Sequence, residues 1–187
     1  MSELYILPEG LPKPVDDGAC DHLEGLTIPN VALPSTSGNA VNFAAMKGTI
    51  VCYFYPMIGN PLALPGDDWN AIPGARGCTP QSCAYRDKYT TFNEFDVQVF
   101  GVSGQSSADQ KEARNRLHLP YDLVSDEAFQ LCNELQLPTF IYQGKQHVKR
   151  LTTIIRDGVI QKVFYPVFPS DSDSDQVLAW LRGQASL

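Results

Sequence analysis

Cys78 stands where a cysteine becomes a nucleophile. It follows the glycine-containing loop 73–77 and directly precedes a predicted helix over residues 79–95. The free backbone N–H groups and the positive end of the helix dipole at such a position favour a thiolate over a thiol. Arg76 and Arg86 lie close enough in sequence to add positive field. Because the thiolate is the nucleophilic form of cysteine, the sequence predicts that Cys78 is chemically reactive.

Cys83 follows Cys78 by five residues, and this spacing restricts how the two can react. On an ideal α-helix that step separates the Cα atoms by about 8 to 9 Å. A disulfide needs Cα atoms about 4.4 to 6.8 Å apart. A Cys78–Cys83 disulfide therefore requires the first helical turns to unwind, which would couple the chemistry to local unfolding.

The other three cysteines have less reactive surroundings. Cys52 falls inside a predicted buried strand and Cys132 on an apolar helical face, so both are expected to fill the core. Cys20 belongs to the N-terminal segment and its role stays open. An odd number of cysteines at low density argues against a disulfide framework. Together with an N-terminus that shows no export-signal pattern, this predicts a cytoplasmic protein.

Length and charge exclude several classes of protein. A chain of 187 residues favours one domain with a substantial core. Its formal net charge of −7 argues against nucleic acid or an anionic membrane as a partner, because affinity for phosphate comes from clustered cations. The longest apolar run, near residues 49–57, is far shorter than the roughly 20 residues that cross a bilayer.

Secondary-structure signals become regular only after an N-terminal segment with several prolines. Residues 1–25 are predicted to be an arm laid over the body, and residues 26–187 are predicted to form one domain. Buried strands are expected over 49–56 and 97–103, and the dipeptide Asp157-Gly158 predicts a late hairpin. This order predicts an α/β protein with a mixed central sheet flanked by helices.

Three helices have recognisable boundary signals. Thr79 is the candidate cap of the first, with Pro80 at its first position. A capping-box pattern opens the second at Ser107. Asp173 is the candidate cap of the last helix, which Gly183 should end.

The run GCTPQSC at Gly77–Cys83 resembles the active-site sequence of peroxiredoxins of the alkyl hydroperoxide reductase and thiol-specific antioxidant superfamily. It is most similar to the peroxiredoxin Q or bacterioferritin comigratory protein group. The upstream run YFYP at Tyr53–Pro56 and the aromatic-Arg-Asp run Tyr85–Asp87 fit the same pattern. The late strand RLTTIIRDG, which begins at Arg150, extends the resemblance over most of the chain.

This resemblance implies a thioredoxin-like fold and a thiol-dependent peroxidase. Cys78 would attack hydrogen peroxide or an organic hydroperoxide, and its sulfenic acid would condense with Cys83 to an intramolecular disulfide. Thioredoxin or a similar dithiol protein would reduce that bond. The family also implies no metal or organic cofactor, and a monomer or homodimer.

The same resemblance assigns the other site residues. Arg150 corresponds to the family's active-site arginine, which stabilises the thiolate form of the reactive cysteine and donates hydrogen bonds to the peroxide oxygens. Pro56, Gly77 and Thr79 are the expected substrate-binding residues. Pro73 competes with Pro56 for the place of the family's proline.

The chain departs from the family pattern before Cys78. The family's hydroxyl residue three positions upstream is Ala75 here, and its proline seven positions upstream is Ala71. An insertion within residues 57–77 separates Pro56 from Cys78 and could reshape access. Thr79 or Ser82 could supply a substitute hydroxyl.

Three other functions compete with a peroxidase. A thiol-disulfide oxidoreductase would use the same fold, but the chain has no C-x-x-C motif. A redox sensor would oxidise the same cysteines with little turnover. A metal site is disfavoured because Cys20, His22, His118 and His147 do not form closely spaced ligand pairs.

Overall fold

A five-stranded mixed sheet forms the centre of the computed structural model, which describes residues 3–185. The strands are, in chain order, β1 (Leu33–Pro34), β2 (Ala40–Val41), β3 (Thr49–Phe54), β4 (Val97–Ser103), β5 (Leu123–Ser125), β6 (Thr139–Tyr142), β7 (Lys145–Val148), β8 (Leu151–Arg156) and β9 (Val159–Phe164). The α-helices are α1 (Asp67–Asn70), α2 (Cys78–Asp87), α3 (Tyr89–Glu94), α4 (Ser107–Leu117), α5 (Gln130–Glu134) and α6 (Asp173–Ala185).

The strand order of the central sheet is β5-β4-β3-β8-β9. The β3–β4 and β4–β5 pairs are parallel, whereas the β3–β8 and β8–β9 pairs are antiparallel. The β8–β9 hairpin turns at Asp157-Gly158, as predicted. The expected α/β architecture with a mixed sheet, antiparallel at one side, is therefore confirmed.

Strand β3 separates two apolar clusters. Its alternate residues belong to different clusters, Ile50 and Cys52 to one and Val51 and Tyr53 to the other. Successive side chains of a strand point to opposite faces, so the two clusters cover the two faces of the sheet. Cys132 packs in the first cluster, which confirms that Cys52 and Cys132 are core residues.

The N-terminal segment is fastened to the body at several points. Cys20 and Leu23 are buried in the first apolar cluster. Asp17 pairs with Lys149 at 3.0 Å, and Thr27 bridges to β9. The boundary between an arm and a domain at residue 25 stays a prediction.

Several boundaries differ from those predicted. The helical segment 79–95 is two helices that meet at Lys88, and the first begins one residue early, at Cys78. The last helix runs past Gly183 to Ala185, since a single glycine in a helix costs only about 1 kcal/mol. The β6–β7 hairpin was not predicted. Within residues 3–185, no helix combines the length and apolar character needed to cross a membrane.

Helix α4 is capped one residue earlier than predicted. Ser106 has extended backbone angles, and its hydroxyl accepts a hydrogen bond from the Asp109 backbone N–H at 3.2 Å. The same hydroxyl donates to the Asp109 carboxylate at 2.8 Å. The first bond satisfies one of the N–H groups that a helix leaves without intrahelical partners, and the second holds the Ser106 hydroxyl in place.

Replacing the cap should therefore weaken the fold. We expect Ser106→Ala to lower the free energy of unfolding by about 1 kcal/mol. Denaturant unfolding measures this change, and Ser107→Ala, at the first helical position, is the matched control. Equal stability of the two variants would contradict the cap assignment.

Candidate active site

Cys78 is the first residue of α2, and its side chain is buried. The residue before it, Gly77, caps the helix with φ at 111°, a backbone conformation that favours glycine. The prediction that Cys78 lies at a helix N-terminus is therefore confirmed. The predicted cap was wrong: Gly77 is the cap, and Thr79 lies inside the first turn, with Pro80 following it.

The guanidinium of Arg150 contacts the Cys78 sulfur. Its Nη2 donates to Sγ at 3.1 Å and to the carbonyl oxygen of Ala75 at 3.1 Å. Further donation reaches the carbonyls of Gly74 at 3.3 Å and Arg76 at 3.4 Å. Because the planar fork is held by several fixed acceptors, its charge and donors are directed at the sulfur before any substrate arrives.

A glutamine and a buried carboxylate complete the surroundings of Arg150. Its Nη1 donates to Gln81 Oε1, and Gln81 Nε2 donates to Asp173 Oδ2 at 2.8 Å. The same Asp173 oxygen accepts from Tyr85 at 2.9 Å and from Thr152 at 2.7 Å. Asp173 is wholly buried, and burial raises its pKa against the opposing effect of these donors.

The sequence did not predict this network. Gln81 lies three residues after Cys78, and this spacing places both side chains on the same face of α2. The spacing could therefore have identified Gln81 as a neighbour of the active-site sulfur. Asp173, the predicted cap of α6, directs its carboxylate to α2 and β8 instead. An aspartate at the start of a helix is typical of a cap, so the sequence around Asp173 does not indicate a partner as distant as Gln81.

A small recess opens beside Cys78. Its volume for a water-sized molecule is about 10 Å³, and its lining residues are Leu4, Met57, Gly59, Pro65, Trp69, Arg76, Gly77, Cys78 and Thr79. That volume accommodates roughly one water molecule, so only a small group reaches the sulfur in this state. Two of the three predicted substrate-binding residues, Gly77 and Thr79, therefore lie at the recess.

Thr79 offers the recess a hydroxyl without a partner. Its Oγ1 is buried and makes no hydrogen bond to any residue of the described chain, 3–185. A buried hydroxyl with no partner is costly, which favours a polar ligand at this position. Ser82, the other candidate hydroxyl, accepts from the Tyr53 hydroxyl at 3.0 Å, and its carbonyl accepts from the Tyr121 hydroxyl at 2.8 Å.

The two candidate prolines lie away from the recess lining. Pro56 is buried, and its carbonyl oxygen is 3.2 Å from Nδ1 of His147. The next residue, Met57, reaches the recess instead. Pro73 lines a separate, larger cavity that also borders Arg150. The role of Pro56 in substrate binding stays a prediction.

Cys83 is a half-buried free thiol on the intact helix α2. Burial raises its pKa, while the charge of Arg86 acts in the opposite direction. Arg86 donates to the Leu117 carbonyl at 2.9 Å and pairs with Asp87, whose carboxylate adds to the rise in the pKa of Cys83. In this state Cys83 is not poised to react, which agrees with the need for unwinding.

The remaining cysteine, Cys20, is buried, and its pKa is raised to about 12 by burial and by the neighbouring Asp17 and Asp16 carboxylates. All five cysteines are free. Across residues 3–185, His, Cys, Asp and Glu side chains form no group of three or more that could hold a metal ion.

Residues 23–178 match the Redoxin family. The chain is 30% identical over 160 residues to a chloroplastic peroxiredoxin Q of Sedum lineare, covering 85% of this chain and 77% of that protein. It is 29% identical to a chloroplastic peroxiredoxin Q of Oryza sativa subsp. japonica, and the match again covers 85% of this chain. The chain spans 66% of the length of that relative, slightly less than two thirds.

Solved structures show the same fold. Peroxidoxin BcpB of Mycobacterium tuberculosis has a TM-score of 0.70 and 26% identity, covering 87% of this chain and 98% of that one. The bacterioferritin comigratory protein of Xanthomonas campestris, studied for its alkyl peroxide reduction activity, has a TM-score of 0.67 and 23% identity, covering 88% and 98%. The likeness to the M. tuberculosis protein confirms the expected thioredoxin-like fold.

Gly77 should tolerate no side chain. A Cβ atom there would collide with Oγ of Ser170 and approach Leu7 Cδ2 to 2.7 Å, in addition to the strain of φ at 111°. We expect Gly77→Ala to lower the free energy of unfolding by about 1–3 kcal/mol from backbone strain alone. Denaturant unfolding measures the loss.

Gly183→Ala is the matched control, since a Cβ atom there meets nothing within 4 Å. In the helix it should leave stability unchanged or raise it by up to about 1 kcal/mol. A Gly77→Ala variant as stable as this control would refute the steric role of Gly77.

Proposed function

The chain belongs to the redoxin family and, within it, to the peroxiredoxin Q group; from this premise we propose that it is a thiol-dependent peroxidase for hydrogen peroxide and organic hydroperoxides. The observation that carries the proposal is the 3.1 Å contact between Arg150 Nη2 and Cys78 Sγ at the start of α2. That contact places a fixed cation and donor beside the one cysteine that faces the recess.

In the first step the Cys78 thiolate attacks one peroxide oxygen. The S–O bond forms as the O–O bond breaks, and the departing oxygen takes a proton to leave as water or an alcohol. Arg150 donates to the oxygens on which charge develops, because its fork is already held by backbone carbonyls. The free Thr79 hydroxyl supplies a second polar contact in the place of the family's upstream hydroxyl.

In the second step Cys83 resolves the sulfenic acid. Its sulfur attacks the Cys78 sulfur, a disulfide forms, and the hydroxyl leaves with a proton as water. The helix must unwind for this step, as the spacing of the two cysteines requires. A dithiol protein of the thioredoxin type then reduces the disulfide by exchange.

We propose the cytoplasm, a reducing compartment, as the location, supported by five free cysteines. The assembly is proposed to be a monomer or a homodimer.

Removing the nucleophile should abolish the reaction. We expect Cys78→Ser to reduce peroxide consumption to the uncatalysed background, because a serine hydroxyl stays protonated near neutral pH and is a much weaker nucleophile than a thiolate. Peroxide loss in the presence of a thioredoxin system measures this, with Cys132→Ala, a core position, as the control. Undiminished turnover by Cys78→Ser would eliminate the proposed function.

Removing the resolving thiol should separate the two steps. We expect Cys83→Ser to form one equivalent of sulfenic acid on Cys78 and then to lose thioredoxin-driven cycling. Mass spectrometry of the peroxide-treated wild-type protein should show a Cys78–Cys83 link. A link from Cys78 to Cys20 or to another subunit would refute the choice of Cys83.

A further inference from the structure

A buried carboxylate behind the active site takes no part in the proposed reaction. Asp173 is the first residue of α6 and is fully buried. One of its oxygens accepts three hydrogen bonds at 2.7–2.9 Å, two of them from Gln81 and Tyr85 on α2 and one from Thr152 on β8. The carboxylate therefore joins the helix that carries both reactive cysteines to the sheet and to α6.

A second bond from the same segment reaches the start of α2. The Ser170 hydroxyl donates to the Gly77 carbonyl at 2.8 Å and is itself buried. Ser170 lies in the short 3₁₀ turn Ser170–Ser172 that leads directly into Asp173. Ser170 and Asp173, at the two ends of the segment 170–173, thus hold α2 at the residue before Cys78 and at positions 81 and 85.

These bonds oppose the motion that the chemistry needs. Gln81 lies between Cys78 and Cys83, so any unwinding that brings the two sulfurs together moves the Gln81 backbone. Its side chain then loses both Asp173 and Arg150. A buried carboxylate that loses its donors is destabilised, and hydrogen bonds to charged groups contribute more than neutral ones.

We infer that residues 170–173 form a latch, with Asp173 as its positioning residue, which keeps the Cys78 end of α2 wound and sets how readily Cys83 reaches the oxidised Cys78. This inference rests on the proposed function. Because the latch contacts are made only while α2 is wound, they stabilise the dithiol form relative to the disulfide.

The latch also decides between two fates of the Cys78 sulfenic acid. In one, the Cys83 thiol condenses with it to a disulfide and releases water. In the other, a second peroxide oxidises it to a sulfinic acid and is itself reduced to water or an alcohol. A tight latch slows the first reaction and leaves more time for the second.

The test weakens the latch without touching a reacting atom. Asp173→Asn replaces the carboxylate by an uncharged amide, so the bonds from Gln81, Tyr85 and Thr152 to its oxygen weaken and the wound helix loses part of its support. We expect the equilibrium constant of the Cys78–Cys83 pair against dithiothreitol, measured by mass spectrometry, to shift at least tenfold toward the disulfide. For a two-electron couple that is about 30 mV more negative. The sulfinic acid formed per turnover should fall.

Two further variants keep the test decisive. Tyr85→Phe removes one donor from α2 and keeps the ring, so it should shift both readouts in the same direction by a smaller amount, even where Asp173→Asn fails to fold. Asp171→Asn, at an exposed carboxylate of the same turn, should match the wild-type protein. A lower melting temperature with unchanged equilibrium and sulfinic acid yield would assign Asp173 a purely structural role and overturn the latch.

The two proposals fail separately. The dithiothreitol equilibrium needs no peroxide, so it tests the latch even if peroxide turnover is absent. A wild-type protein that consumes peroxide but forms no Cys78–Cys83 disulfide would overturn the latch and leave the peroxidase standing. Full activity of Cys78→Ser would remove the peroxidase, whatever the equilibrium shows.

Discussion

The contact between the Arg150 guanidinium and the Cys78 sulfur is the interaction on which the site depends. A guanidinium that is only 3% exposed is costly unless its donors are satisfied. Here the carbonyls of residues 74–76, the amide oxygen of Gln81 and the sulfur share those donors. Solvating the cation with protein groups therefore also fixes the loop before α2, and the loop in turn fixes the sulfur.

The insertion before Cys78 is part of this framework. Trp69 is buried in it and packs edge-on against Tyr142 of the β6–β7 hairpin, with ring centroids 4.9 Å apart. Ala75 packs with Trp69 and Tyr142 in one small apolar cluster, and its carbonyl accepts a hydrogen bond from Arg150. The departure from the family pattern at Ala75 thus removes a side-chain hydroxyl but keeps a backbone acceptor that holds the arginine.

In the proposed mechanism, helix α2 must be rigid for the first step and open for the second. Peroxide attack needs Cys78 held against Arg150, which the wound first turns of α2 provide. Disulfide formation needs those turns undone, since the wound helix keeps the two cysteines too far apart. Contacts from a distant segment of the chain, such as those of Asp173 and Ser170, are suited to setting the balance between the two states because they exist in only one of them.

Local patterns in the sequence pointed to Cys78 as the candidate nucleophile and determined its spacing from Cys83, the main strands and helices and the late hairpin at Asp157-Gly158, because each depends on residues adjacent in the chain. Only the tertiary structure decided what surrounds the sulfur. Arg150 meets Cys78 across 72 residues, and Asp173 meets Gln81 across 92. The resemblance pointed to Arg150 and to Thr79 as a possible hydroxyl, but no local pattern indicated the contacts of Asp173 or that the Thr79 hydroxyl has no partner in the described chain. Such contacts exist only when the sheet brings β8 and α6 against the start of α2.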